Sequence, residues 1–475
     1  MPTAQRLAIV FTTADQGMMV YDTTLNNLFI WNGTAWVSVP DSGDSSNEQV
    51  IFNDNGVLIG DPGLLFNKTT DKLTVAGTLD IWRGLLNQGA STGVGDDTLN
   101  TTVVGAAANT AFGYRAASQL TTGTLNTGVG YLALRGFVGT FTGGSNTAVG
   151  ANAGLQVSSG GSNSFFGKAT GGAVTTGSFN VAVGHDALAN TAQASTASHN
   201  IAIGDTAMFS ASPVVGDDNI GIGRSTLIAL SSGSDNVVIG RESGSRLTTG
   251  SANTYVGAVS AQFNLIGTGN TGIGAGTLNA ATVSDLTAVG AYALTANTTG
   301  IQNTAVGRSA LATMGANSNC TAVGFNAGRN TIASRATAFG SGALELSTGG
   351  DCNTAVGYKA LGNGILTGGF NTAIGDSAGT SLTTGINNTL IGYNTGANIT
   401  IGNANICLGM NATCNAISDS NTLAIGSSGQ FVATNGGATT YYATATAGAI
   451  VPTNFGGYIR IRLNGTFVKV PIYND

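Results

Sequence analysis

Charge is scarce in this chain. Asp, Glu, Lys and Arg supply 8% of its 475 residues, against about 25% in an ordinary globular domain. The net charge is −6 and the Lys and Arg are scattered, so there is no basic footprint and no nucleic-acid partner is expected. There are four cysteines, Cys320, Cys352, Cys407 and Cys414, and no Cys-x-x-Cys pair. They are expected as reduced thiols at small-residue positions, not as a disulfide frame or a zinc site. The two histidines, His185 and His199, sit beside the same motif in neighbouring repeats and are expected as exposed turn residues rather than as a shared metal site. No apolar run approaches the ~18 residues of a membrane span, so no membrane insertion is expected. Met1 to Arg6 lead into only a short apolar run. This does not read as a secretion signal, and the expectation is folding in the cytoplasm where the chain is made. No cofactor is expected.

Glycine, by contrast, is abundant, with 73 copies, and its placement is regular. Asn-Thr-Ala-Val-Gly or a close variant returns about every 17 residues, twenty times, with its glycine running from Gly95 to Gly426. Such regularity means that each unit stacks on the next and none is stable alone. The residue before each glycine is large and apolar in every copy, and is read as the core column. It includes Val94, Phe112, Val129, Val149, Phe166, Val183, Ile203, Ile222, Ile239, Val306, Val356, Ile374, Ile391 and Ile425. Two residues earlier stands Thr or a β-branched residue, and period two over so short a run predicts a short strand. The residue between them is usually small, as in Ala111, Ala148 and Ala182. It is expected to let a neighbouring chain pack close.

Asn opens most copies, among them Asn109, Asn126, Asn146, Asn180, Asn200, Asn303, Asn353, Asn371 and Asn388. Asn tolerates left-handed backbone and caps turns, and amides stacked in register can bond to the coils above and below. Ser91, Leu286, Cys320, Ala336 and Thr422 replace it elsewhere. Ala, Ser or Thr stands three residues after the glycine in every copy but the last, which has Gly429, and Leu often follows, as at Leu134 and Leu188, which predicts a turn or second short strand with Leu inward. A polar turn such as Thr121-Thr122-Gly123 closes the unit.

The fold class predicted is all-β: a parallel β-solenoid or β-roll of about twenty 17-residue coils, with small β modules at both ends. At about 4.8 Å per strand the stack would run on the order of 95 Å. A coil this thin has little core of its own, so a homotrimer is the expected assembly. The expected divisions are an N-terminal β-meander at 1–45, a short-strand connector at 46–90, the repeats at 91–428 and a C-terminal hairpin cap at 429–475. Ile81-Trp82 would help seal the first coil. In the cap, Tyr458 to Leu463 alternates, Asn464-Gly465 turns and Thr466 to Tyr473 returns, a hairpin that would blunt an open solenoid end.

Two resemblances rest on these residues. The stacked Asn-Thr-Ala-Val-Gly-x-x-Ala units resemble the left-handed β-roll heads of trimeric autotransporter adhesins and, equally, shaft segments of bacteriophage tail fibres. Handedness stays open, since parallel crossovers are in general right-handed. Gly17 to Asp22, Trp31 to Trp36 and Val50 to Gly56 resemble a module near the start of phage fibre proteins, and Gly457 to Tyr473 resembles short fibre-end caps. The phage resemblance implies a tail fibre or spike assembled in the host cytoplasm and carried on the virion. Its N-terminus would dock to other tail or baseplate proteins, with Tyr21, Trp31 and Trp36 as candidate contacts, and it would bind a host-surface glycan or protein. The adhesin resemblance lacks a secretion signal, a heptad stalk and a membrane-barrel segment in this sequence; the phage resemblance lacks a self-cleaving chaperone segment.

Catalytic patterns are weak. Gly267 to Gly272 matches the dinucleotide glycine spacing, but it is the repeat itself and lacks the helix and acidic partner that fold requires. A glycan depolymerase would need two carboxylates about 5–9 Å apart. Asp96-Asp97, Asp217-Asp218 and Glu242 with Asp235 are the crowded acids, and acidic turns are ordinary solvated positions. The expectation is therefore no enzyme. Three coils stretch to about 20 residues, around Phe137 and Phe141, around Gln193 and around Pro213. Insertions in a solenoid become side loops, so these four residues are the candidate receptor contacts, with packing on the neighbouring coil or chain as the other reading of Phe137 and Phe141.

Overall fold

A computed structural model of the chain describes residues 2–7, 12, 15–25, 27–38, 48–54, 57–67, 72–75, 79–83, 91–100, 107–136, 141–189, 195–413, 417–418, 420–426, 432–434, 441–442, 455–463 and 466–473, with backbone course alone for 27, for 48–83 and beyond 431. The chain divides into two compact units, Met1–Gln302 and Asn303–Asp475.

The first unit opens with a short helix, Thr3–Leu7, which the sequence reading did not anticipate. An antiparallel sheet follows, of strands Met19–Asp22, Asn27–Trp31 and Trp36–Ser38. One ion pair ties helix to sheet. The Arg6 guanidinium meets the Asp22 carboxylate at 2.9 Å, both side chains buried, and lies 3.6 Å over the Phe29 ring. Thr3 Oγ1 and the Thr24 and Leu25 amides also donate to Asp22. Four antiparallel strands then lead to the repeats: Glu48–Asp54, Val57–Asn67, Lys72–Val75 and Leu79–Arg83. The last pairs antiparallel with the first repeat strand, Thr92–Val94, setting Ile81 opposite Val94.

The repeats form a parallel β-solenoid in both units. Each coil contributes one strand, three residues long in almost every copy, from Thr92–Val94 to Thr287–Val289 in the first unit and from Thr304–Val306 to Thr422–Ile425 in the second. Consecutive strands pair in parallel with no slip: Thr127, Gly128 and Val129 stand against Thr147, Ala148 and Val149. After each strand the glycine turns the chain at φ between +86° and +139°. That region is open to glycine and strained for other residues. The next coil closes off the space as well: a Cβ on Gly204 would lie 2.7 Å from the backbone of Gly223. The segment after the glycine is a turn, not a second strand.

The second unit ends differently. Thr422–Ile425 pairs antiparallel with Val432–Thr434, which pairs with Tyr441–Tyr442. A separate hairpin joins Phe455–Leu463 to Thr466–Tyr473.

Burial corrects the expected core. The large residues before the glycines do not face inward: Phe112, Val149, Phe166, Val183, Ile239, Val306, Ile374, Ile391 and Ile425 are exposed in the chain, and Val94, Val129, Ile203, Ile222 and Val356 are half-buried. The small middle residue is the one inside, as with Ala111, Ala148, Ala182, Ala202 and Ala305. The cause is space. A coil of about 17 residues is so narrow at the strand that Ala or Gly fits against the opposite wall, and alternation then sends both neighbours outward. Three further columns complete the interior: the small residue three after the glycine (Ala133, Ala153), the Leu after it (Leu134, Leu227), and an apolar residue five or six before the Asn (Leu120, Val157, Val174, Leu247, Leu382).

Candidate functional site

Two surfaces of the coil carry chemistry: the inner wall of stacked amides and the outer face of the strands. On the inner wall each Asn amide reaches both neighbouring coils. Asn126 donates from its backbone N–H to Asn109 Oδ1 at 2.9 Å and from Nδ2 to the same oxygen at 3.2 Å, and its Nδ2 also reaches the Gly143 carbonyl of the following coil at 2.9 Å. Asn146, Asn163 and Asn180 repeat the pattern. Asn200 and Asn219 continue it, and Asn371 and Asn388 carry it from Asn353 in the second unit. These amides are buried and satisfied, as a ladder inside a low-dielectric wall must be. Cys320 stands in for Asn: its Sγ accepts from the Ala336 amide at 3.4 Å and donates to the Ala333 carbonyl at 3.2 Å. Burial pushes this thiol's pKa up. Cys407 is buried, Cys352 is half-buried, and Cys414 lies outside the described residues.

A second ladder escaped the sequence reading. Two residues before the Asn, in successive coils from Ser178 to Ser251, a side-chain oxygen accepts the N–H of the coil before it. Gly161 donates to Ser178 Oγ at 3.0 Å, Ser178 to Ser198 Oγ at 3.1 Å, Ser198 to Asp217 Oδ1 at 2.7 Å, Asp217 to Ser234 Oγ at 3.1 Å and Ser234 to Ser251 Oγ at 3.0 Å. Its signal was the run of Ser, Thr and Asp at that position.

The outer face is the larger anomaly. At both outward strand positions all twenty copies carry Thr, Ser, Val, Ile, Leu or Phe and never a charge. Between Val181 and Ile239 four successive strands, Val-Ala-Val, Ile-Ala-Ile, Ile-Gly-Ile and Val-Val-Ile, are apolar throughout. The position after the glycine, in contrast, carries Lys168, His185, Asp205, Arg224 and Arg241.

The remaining predicted residues scatter. Phe141 is fully buried and packs on the neighbouring coil rather than serving as a receptor contact: it bridges to Leu120 of the previous coil and fills the same inner column. Pro213 is half-buried between exposed Ser212 and buried Val214. Phe137 and Gln193 lie outside the described residues. Tyr21 is 50% exposed on the N-terminal sheet. Trp31 and Trp36 are half-buried and meet edge to face at 5.8 Å, with Trp31 Nε1 donating to the Thr12 carbonyl at 3.0 Å. His185 lies between Asp186 at 3.4 Å and Asp205 at 3.2 Å, while His199 stacks on Phe179 at 5.0 Å. Among the described residues, no group of three or more His, Cys, Asp or Glu is placed to hold a metal ion. Gly267 to Gly272 runs into the strand Thr271–Ile273, so that stretch is repeat. Asp97 pairs with Arg115 at 3.0 Å, and Glu242 with Arg241 at 2.7 Å and Arg224 at 3.4 Å. No helix of the described residues is long and apolar enough to cross a membrane. No family model, curated protein or solved structure matches the chain.

Proposed function

We propose that this chain is a non-catalytic structural protein of a bacteriophage fibre or spike, working as a homotrimer. In this reading the coils supply a stiff shaft and the N-terminal sheet docks to other virion proteins. The distal parts contact a host-surface glycan or protein. Assembly takes place in the host cytoplasm and the finished protein resides on the virion.

The uncharged outer face carries the reading. Twelve strands at about 4.8 Å, each about 10 Å long, give the first unit an uncharged stripe on the order of 500 Å², with Thr or Ser at eight of its twenty-four outward positions and apolar residues at the rest. Exposed apolar residues gathered on one face mark interaction sites. The second unit carries a stripe of the same kind. A cyclic assembly turns the stripes toward one axis and takes them out of water. Identical contacts on identical chains then combine by effective concentration at the host surface. The stripe and the ladders suit a bacterial adhesin head equally well, so the test must find where the protein resides. Gold-labelled antibody against the chain should decorate purified phage particles, and soluble chain should compete with their adsorption. Label confined to the bacterial surface, with none on particles, would reject the phage reading.

A further inference from the structure

The two edges of the outer stripe carry opposite charge in the same two coils. On the edge where the strands begin, Asp218 and Asp235 precede Asn219 and Asn236 in successive coils. Both are exposed, and among the described residues no group donates to either carboxylate. Stacked at about 4.8 Å, they repel one another, and like charges set side by side on adjacent strands are destabilising. Asp217 adds a third carboxylate there, with Oδ1 taken by the Ser198 amide. His199, one coil earlier in the same column, is stacked on Phe179.

On the edge where the strands end, Arg224 and Arg241 follow Gly223 and Gly240. They share one acid, Glu242, at 3.4 and 2.7 Å, and Gln262 also donates to Glu242. Two guanidiniums share this one carboxylate, with both Arg side chains more than half exposed, and Asp205, one coil before Arg224 in the same column, is met by His185 at 3.2 Å. Within one chain the acids and arginines are separated by the strand, on the order of 15 Å, and cannot meet.

We infer that Asp218 and Asp235 pair with Arg224 and Arg241 of a neighbouring copy of this chain, and that these pairs set the coil register of the assembly. The inference rests on the homo-oligomer reading above. Around a cyclic axis the contact is heterologous, so the strand start of one copy meets the strand end of the next. Aligned coil for coil, Asp218 faces the partner subunit's Arg224 and Asp235 faces the partner subunit's Arg241. A slip of one coil in one direction keeps a single pair and sets Asp218 against the partner subunit's Asp205. A slip in the other keeps a single pair and leaves Asp235 against the partner subunit's Ala258. The charged coils also contribute two of the four strands that are apolar throughout, Ile220–Ile222 and Val237–Ile239, and an assembly that takes these strands out of water strengthens the pairs beside them. Complementary charge at the rim of an apolar interface selects register and partner more than it adds affinity.

Charge exchange tests this. D218R/D235R and R224D/R241D are compared with the fourfold exchange D218R/D235R/R224D/R241D by light scattering across dilution at low salt, with circular dichroism confirming that the coils form. Each double variant should raise the dissociation constant at least about tenfold, and the fourfold variant should recover most of the loss. Wild-type oligomers unaffected by either double variant, or a fourfold variant no better than the doubles, overturn the inference while leaving the oligomer standing. A monomeric wild type overturns the oligomer reading beneath it.

Discussion

Single positions in this fold are set by backbone conformation before they are set by side-chain chemistry. Besides the glycine, each coil holds non-glycine residues at positive φ, for instance Leu188, His199 and Thr206 at 50°, 59° and 54°. Such conformations cost L-residues roughly 1–2 kcal/mol each, so stacking has to hold them. The glycine column tolerates no such compromise. Gly204→Ala should destabilise the protein by about 3 kcal/mol or more, because φ is +133° and the Cβ would strike Gly223; chemical denaturation measures it. Asn180→Ala removes an amide bonded to Asn163 Oδ1 and to the Ala197 carbonyl. It should cost about 3 kcal/mol by the same assay, since buried partners are left unsatisfied. The glycine spacing and the Asn column were legible in the sequence because each residue type has a backbone reason to recur. The direction of Val149 or Ile203 was not. Alternation says only that two outer residues share a face, and the width of the coil decides which face is inside.

At the scale of one coil, interior volume is conserved across neighbours. Where Phe165 replaces the usual Ala, Gly154 and Gly171 flank it, and a Cβ on either would press on its ring. Where Leu390 does so, Gly379 and Gly396 make room, at 2.7 and 2.8 Å from its methyl groups to an added Cβ. Phe165→Ala should leave a void costing about 3–5 kcal/mol, visible as a lowered denaturation midpoint. The N-terminal sheet has a different dependence. Burial alone would raise the Asp22 carboxyl pKa, but bonds from Thr3, Arg6, Leu25 and Thr24 hold it well below the usual carboxylate range. A depressed folded pKa stabilises above the unfolded value of about 3.9 and is lost as pH falls below it. The Trp31 and Trp36 fluorescence of this sheet should therefore hold from neutral pH down to about pH 4 and shift on further acidification; in Asp22→Asn that acid transition should disappear.

For the molecule as a whole, the outer stripe is the feature with most left to explain. It asks for partners, and substitutions there should separate folding from assembly. Ile203→Glu with Ile222→Glu places charge on half-buried outward positions. The coils should form with unchanged circular dichroism while the oligomer dissociates, by a loss on the order of tenfold or more per site. Mass in solution tests the account most directly. Light scattering of the native chain should give three times the 47.1 kDa chain mass, stable on dilution. A monodisperse species of 47.1 kDa would mean the stripe faces water, contradicting the account.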